Sequence, residues 1–189
     1  ISAASMYGRS LYWIIGNRYG DMNNLHNDHH RPQMNGSYSN GHSSGSAPKY
    51  LWIDCSDHHC TPNDIIGIAP HNILVYKNLA HQVNYTDLNC LSLLQYAVQV
   101  LAVEHIIICG HYNCAALKYS TRVGHADLVE TWLQPIRDLY AQYAHWLDLY
   151  RADAQRLEKL CELNVIEQVL KLCNTSVVQN AWQQKRELT

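Results

Sequence analysis

The sequence contains no phenylalanine, although it carries 13 tyrosines and 5 tryptophans. A core built without Phe must take its aromatic bulk from Tyr and Trp, whose polar tips need partners once buried. Charged residues are also scarce, at 16% against roughly 25% in typical domains. The net charge of -2 gives no electrostatic attraction toward nucleic acid or an anionic membrane. No stretch approaches the roughly 18 consecutive apolar residues of a membrane-spanning helix. No Gly-rich phosphate loop follows the first strong apolar run, which argues against a nucleotide-binding module. A signal-peptide layout is missing too, but a chain that opens on Ile1 is expected to have lost its natural beginning. Its 7 cysteines are an odd number and are not spaced as in a small secreted scaffold. Reduced thiols in the cytoplasm, some of them on a metal, fit that usage better than disulfides.

What is present is an ordinary apolar fraction of 47% over 189 residues, enough for one domain with a core of its own. Residues 1–20 are Tyr-rich and amphipathic and read as one helix packing on a neighbour. Residues 21–48 are rich in Asn, His, Ser and Gly with no hydrophobic period, so they read as a long loop. His26, His29 and His30 in that stretch read as solvated rather than as a metal site. From Lys49 the pattern becomes regular. Residues 50–53 and 73–76 are short apolar runs of strand type, and residues 88–103 place Leu91, Leu94, Val98 and Leu101 at helical spacing. Residues 105–109 form an uninterrupted β-branched run ended by Gly110, as expected for the centre of a parallel sheet covered on both faces. Helices are expected at about 127–149, 155–172 and 175–186. Strands alternating with helices predict an α/β domain over 49–189, a mainly parallel β-sheet flanked by helices.

Two polar clusters stand where such sheets bind ligands, off the carboxyl ends of strands. Cys55-Ser56-Asp57-His58-His59-Cys60 follows the first strand, and Cys109-Gly110-His111-Tyr112-Asn113-Cys114 follows the central one. Zinc favours thiolate, imidazole and sometimes carboxylate in a tetrahedral shell, and His-x-x-Cys presents two ligands to one ion. Cys55 adds a third ligand and Asp57 a fourth. Each piece alone has a blander reading, a small buried Cys or a hydrogen-bonded core His, but the combination at two neighbouring strand ends favours metal. Cys60, Cys90, Cys109, Cys161 and Cys173 read as structural. His58 and His59 read either as groups behind the ligands or as exposed loop residues.

The segments KYLWIDCSDHHC, NILVYKNLAHQV, DLNCLSLLQYAVQVLAVEHIIICGHYNC and LCELNVIEQVLKLCNTSVVQNAW resemble a bacterial β-carbonic anhydrase. The resemblance covers about residues 49–189 and runs almost unbroken from 87 to 114. It implies that the Cys and Asp of a C-x-D-x-R motif and the His and Cys of H-x-x-C, here Cys55, Asp57, His111 and Cys114, bind Zn2+. It implies zinc-dependent reversible hydration of CO2 to bicarbonate and a proton, through a zinc-bound hydroxide made available near neutral pH. In the family the Asp pairs with the Arg two positions later, so Asp57 and the residue at that position, His59, are the candidate catalytic pair. A closed state with bicarbonate at a nearby inhibitory site uses a Trp, an Arg and a late Tyr. Trp52 and Lys77 stand at the first two positions, the Tyr is expected beyond Thr189, and Tyr96 matches a pocket Tyr. The resemblance also implies a homodimer or tetramer in which residues 1–48 serve as a dimer arm, and a last strand beyond Thr189.

The departures from that pattern bear on activity. His59 lacks the planar two-pronged donor of Arg, and Lys77 replaces a second Arg. Asp54, Ala115 and Ala116 replace usual glycines, Leu74 a usual Phe and Ser46 a usual Gln. These changes predict that Asp57 stays on zinc longer and that hydration is slow. A non-catalytic zinc-binding relative with a structural or regulatory role, and a COS or CS2 hydrolase of the same family, remain open as alternatives.

Overall fold

The computed structural model describes the backbone of residues 4–7 and 10–14, and residues 47–122 and 127–189 with their side chains. The expectations for residues 21–46, including His26, His29, His30 and Ser46, lie outside the described residues. The architecture is α/β, as expected. A five-stranded sheet runs in the order β1-β2-β5-β3-β4, where β1 is Ala4–Tyr7, β2 Ser10–Ile14, β3 Tyr50–Cys55, β4 Ile73–Asn78 and β5 His105–His111.

Strands β4, β3 and β5 are parallel, with Tyr50 opposite both Ile73 and His105, and Asp54 opposite both Lys77 and Cys109. The apolar residues of β3 and β5 are continuous because both faces are covered, whereas edge strand β4 leaves Val75 exposed. Leu51, Ile53, Ile106 and Ile108 point into one core, while Trp52, Ile107 and Cys109 point into another. Each fully buried Leu or Ile there contributes about 1.5–3 kcal/mol. The first core is closed by α2 (Leu88–Gln95), α6 (Asp153–Cys173) and α7 (Ser176–Gln183), through Leu94, Val165, Val169, Leu172 and Val178. On the other face Ile65 of α1 (Pro62–Ile66) packs with Trp52. Helix α1 starts in a capping box, Thr61 with Asp64, and stops at Gly67 with φ +70°; both signals are local.

The first part of the chain corrects one expectation. Residues 4–7 and 10–14 are strands rather than parts of a helix over 1–20, and β2 pairs antiparallel with β5 from Ser10–His111 to Ile14–Ile107. Tyr12, Trp13 and Ile14 are strand formers, and the β5 edge supplies a ladder that an amphipathicity argument ignores.

The helical expectations hold with shifted ends. The helix at 88–103 is α2 continued by a π turn, Tyr96–Val100, and the chain turns away at Ala102 with φ +55°. The stretch 127–149 is two helices, α4 (Leu128–Gln142) and α5 (Ala144–Leu147). Beyond β5 a short helix, α3 (Ala115–Ser120), was not anticipated. Helices α3 to α6 enclose a third core, Leu117, Leu133, Ile136, Leu139, Leu147 and Leu160, which also contains Cys55 and Cys114. That core backs the carboxyl end of the sheet, where the polar clusters emerge.

Candidate metal centre

Parallel pairing in register brings the ends of β3 and β5 side by side, so Cys55 and His111 leave the sheet at the same edge. A turn closed by His58 N–H donating to Cys55 O (3.1 Å) swings Asp57 back over that edge. Asn113 adopts a left-handed φ of +59°, a conformation Asn tolerates better than most residues. It lets the chain reverse so that Cys114, at the head of α3, returns its thiol to the same point. The donor atoms of Cys55, Asp57, His111 and Cys114 all lie within 4.8 Å of one another. The two sulfurs are 3.7 Å apart. Asp57 Oδ1 is 2.7 Å from Cys55 Sγ, 2.8 Å from His111 Nε2 and 3.6 Å from Cys114 Sγ. Its Oδ2 accepts from Ala115 N–H at 2.6 Å.

Such crowding of acidic groups needs protons or a cation between them. The Cys114 thiol holds the Cys55 thiol well below its usual range against the opposing effect of burial, with His111, His81 and Asp57 adding to it. Cys114 is correspondingly pushed up, by Cys55 and by burial. Burial pulls His111 down, but the Cys55 and Asp57 contacts outweigh it and raise His111 to about 9. His111 Nδ1 is 3.2 Å from the Tyr112 carbonyl, which can only accept. The proton therefore sits on Nδ1 in the neutral ring and Nε2 faces the cluster, the tautomer a metal requires.

A second buried layer supports the first. Asp54 accepts from Cys55 N–H (2.7 Å), pairs with His58 Nδ1 (2.8 Å), and has Lys77 Nζ at 3.4 Å. Lys77 also donates to His58 O at 2.9 Å. The His58 ring stacks on His111, with centroids 4.7 Å apart and planes 6° from parallel. Asp54, His58 and Cys109 form a second group with metal-ligand atoms. There Lys77 already supplies a positive charge, and burial, then the Asp54 charge, push the Cys109 thiol well up.

The structure thus brings Cys55, Asp57, His111 and Cys114 together and separates the other candidates. His59 is exposed and has no hydrogen-bond partner among the described residues, while its neighbour His58 turns inward. The expected contact of His59 with Asp57 is replaced by the Ala115 backbone. Trp52 is fully buried beneath the site in the core shared with Cys109. Lys77 reaches Asp54 and also lines a surface pocket with Thr61, Pro62, Ile73 and Val75, and Tyr96 is 47% exposed at the start of the π turn. Ala116 is buried in the core behind the site. Cys60 is exposed, unlike the structural cysteines Cys90, Cys109 and Cys161. Sequence reasoning left the role of His58 open between two readings and did not find those of Asp54, His81 or the Ala115 N–H. An Asp-x-x-x-His spacing around Cys55 was the only available signal, for the first two.

Comparison with known proteins agrees with this geometry. A family model described as carbonic anhydrase matches residues 50–189. A carbonic anhydrase of Emericella nidulans is 37% identical over 142 residues, covering 75% of this chain and 62% of that protein. One from Candida albicans is 35% identical over 132 residues, covering 68% of this chain and 46% of that protein. The chain thus spans less than two thirds of the length of these two relatives. Among solved structures, a tetrameric β-carbonic anhydrase of Sordaria macrospora superposes with a TM-score of 0.71 at 32% identity, covering 76% of this chain and 74% of that one. Family match, identity and superposition agree with the metal-type donor cluster at the ends of β3 and β5, and this chain belongs to the β-carbonic anhydrases.

Proposed function

We propose that this chain binds one zinc ion through Cys55, Asp57, His111 and Cys114 and catalyses the reversible hydration of CO2 to bicarbonate and a proton. The observation that carries the reading is the convergence of these four donors at the end of two adjacent parallel strands. The donor set fits the ion. Two sulfurs at about 2.3 Å from one tetrahedral centre stand about 3.8 Å apart, and the Cys55 and Cys114 sulfurs are separated by 3.7 Å. Zinc, when bound, supplies a Lewis acid that lowers the pKa of water toward about 7.

The residues of the chain do the rest. His111 is held by the Tyr112 carbonyl and the His58 stack, so its Nε2 stays aimed at the cluster. Asp57 accepts from Ala115 N–H on one oxygen while the other stays among the ligands. Were Asp57 to leave the ion, a position for water would open, and the Asp57 carboxylate would be placed to orient that water by accepting a hydrogen bond. Among the described residues no guanidinium contacts Asp57, which favours the four-donor arrangement and slow turnover. The same observation favours a second reading, a closed four-ligand site with a structural or regulatory role. For bicarbonate binding, Lys77 would have to leave Asp54 to act with Trp52, and Tyr96 would border the substrate.

We also propose a homodimer or a multiple of dimers. Leu128 and Leu88 are 87% and 79% exposed, and a structural relative is tetrameric. The 7 cysteines are free thiols, which supports the cytoplasm, and no helix among the described residues is long and apolar enough to cross a membrane. The test is stopped-flow CO2 hydration with zinc content measured on the same sample. Zinc-dependent hydration supports the enzyme; one zinc per chain with no hydration supports the closed structural site instead.

A further inference from the structure

His81 is 1% exposed and sits in a tight segment after β4. Two consecutive non-glycine residues there are left-handed, Ala80 at φ +63° and His81 at φ +42°, a sparsely populated conformation for residues with a Cβ. The strained pair points Ala80 N–H at Cys55 Sγ, 3.2 Å away. It also lays the His81 ring against β5 at Gly110, where an added Cβ would lie 3.2 Å from His81 Cε1 and 2.4 Å from Val165 Cγ2.

A relay of amides fixes the tautomer of this ring. Val83 N–H can only donate, and it donates to Gln168 Oε1 at 2.8 Å. Gln168 Nε2 then donates to Asn164 Oδ1 at 2.8 Å. This leaves Asn164 Nδ2 to donate to Ala80 O at 3.0 Å and to His81 Nε2 at 2.9 Å. Nε2 is therefore an acceptor, and the ring proton is on Nδ1. Nδ1 is buried and has no hydrogen-bond partner among the described residues. His81 nevertheless stands with Cys114 and His111 among the side chains whose hydrogen bonding holds the Cys55 thiol low.

We propose that His81 is a positioning residue of the metal centre, its Nδ1–H donating to the Cys55 sulfur in the zinc-loaded protein alongside Ala80 N–H. The inference rests on the zinc reading above. A hydrogen bond lowers the energy of the sulfur lone pair and fixes the direction of the thiolate, as the groups behind metal ligands commonly do. The left-handed pair and the absence of a Cβ at Gly110 give this ring the angle and part of the space it needs.

The test compares two amides. His81→Asn keeps an N–H near the Nδ1 position, whereas His81→Gln reaches toward the Nε2 position and leaves the first empty. In cobalt(II)-loaded protein the sulfur-to-metal charge-transfer band of His81→Asn should match that of the wild type. The band of His81→Gln should move to longer wavelength, and its zinc affinity in chelator competition should fall roughly 10-fold. An unshifted band in folded His81→Gln overturns the proposal. Long-range 1H–15N NMR of the zinc-loaded wild type tests it without mutation: a proton on His81 Nδ1 is expected, and one on Nε2 alone overturns it. Wild-type protein that takes up neither metal overturns the zinc reading itself, and the ring's tautomer is still read by NMR.

Discussion

Ala115→Pro removes one hydrogen bond from the centre and little else. Ala115 is the first residue of α3, where the N–H has no role within the helix and Pro is well accepted. The preceding residue, Cys114, has φ -58° and ψ 120°, close to the extended geometry that precedes Pro. What is lost is the 2.6 Å bond from Ala115 N–H to Asp57 Oδ2. Hydrogen bonds to charged groups are worth about 1.5–3 kcal/mol, and the partial exposure of this one places it at the lower end. A loss of about 1.4 kcal/mol is a tenfold change in an equilibrium, so the Asp57 arm should leave the metal about tenfold more readily. Zinc affinity by chelator competition should fall about tenfold, with an unchanged far-ultraviolet circular dichroism spectrum. Hydration per bound zinc should hold or rise, because the fourth position opens more often. A variant that binds zinc as tightly as the wild type, or that loses hydration per zinc while folded, refutes the idea that Ala115 holds Asp57 among the ligands.

His59→Arg restores a two-pronged cation two residues from Asp57; stopped-flow hydration should rise several-fold, and no gain would count against Asp57 as the brake. Gly110→Ala forces a Cβ to 2.4 Å from Val165 Cγ2. Overpacking of that kind costs about 1–3 kcal/mol, so the thermal midpoint should drop by roughly 3–10 °C, and an unchanged midpoint would show that α6 yields freely. Zinc uptake should also release protons. Below pH 9 His111, raised to about 9, carries a proton that ligation must expel, and the Cys114 thiol, also raised, carries another. The Cys55 thiol, held below its usual range, adds less to the count. About two protons should therefore leave per zinc near pH 7, with affinity rising as pH rises. Calorimetry in buffers of different ionisation enthalpy reads this number, and release of less than one proton would contradict the assigned states.

Much of the centre was legible because strand grammar is strong. An apolar run ending in Cys-x-Asp and another ending in His-x-x-Cys must present those residues at the same sheet edge if the strands are parallel neighbours, and they are. The ends of α2 and α4 were less legible, because a π turn and a break near Tyr143 depend on packing rather than period. Helix α3 is six residues long, too short to show a period. The strands at 4–7 and 10–14 were missed because a Tyr-rich amphipathic stretch suits either period, and the choice is made by the edge of β5. The pair His58 and His59 shows the limit most clearly. Adjacent identical residues cannot be told apart by type, and only the buried Asp54 carboxylate, with Lys77 beside it, decides that His58 turns in. His81 was silent for the same reason: its role depends on Asn164 and Gln168, more than 80 residues away in sequence.

The most direct test of the central claim is X-ray absorption spectroscopy at the zinc edge on protein loaded with one equivalent of zinc. The account predicts a four-coordinate shell with two sulfurs at about 2.3 Å and two nitrogen or oxygen donors at about 2.0–2.2 Å, reduced to one sulfur in Cys114→Ser. A wild-type shell without two sulfurs, or one that Cys114→Ser leaves unchanged, would contradict it.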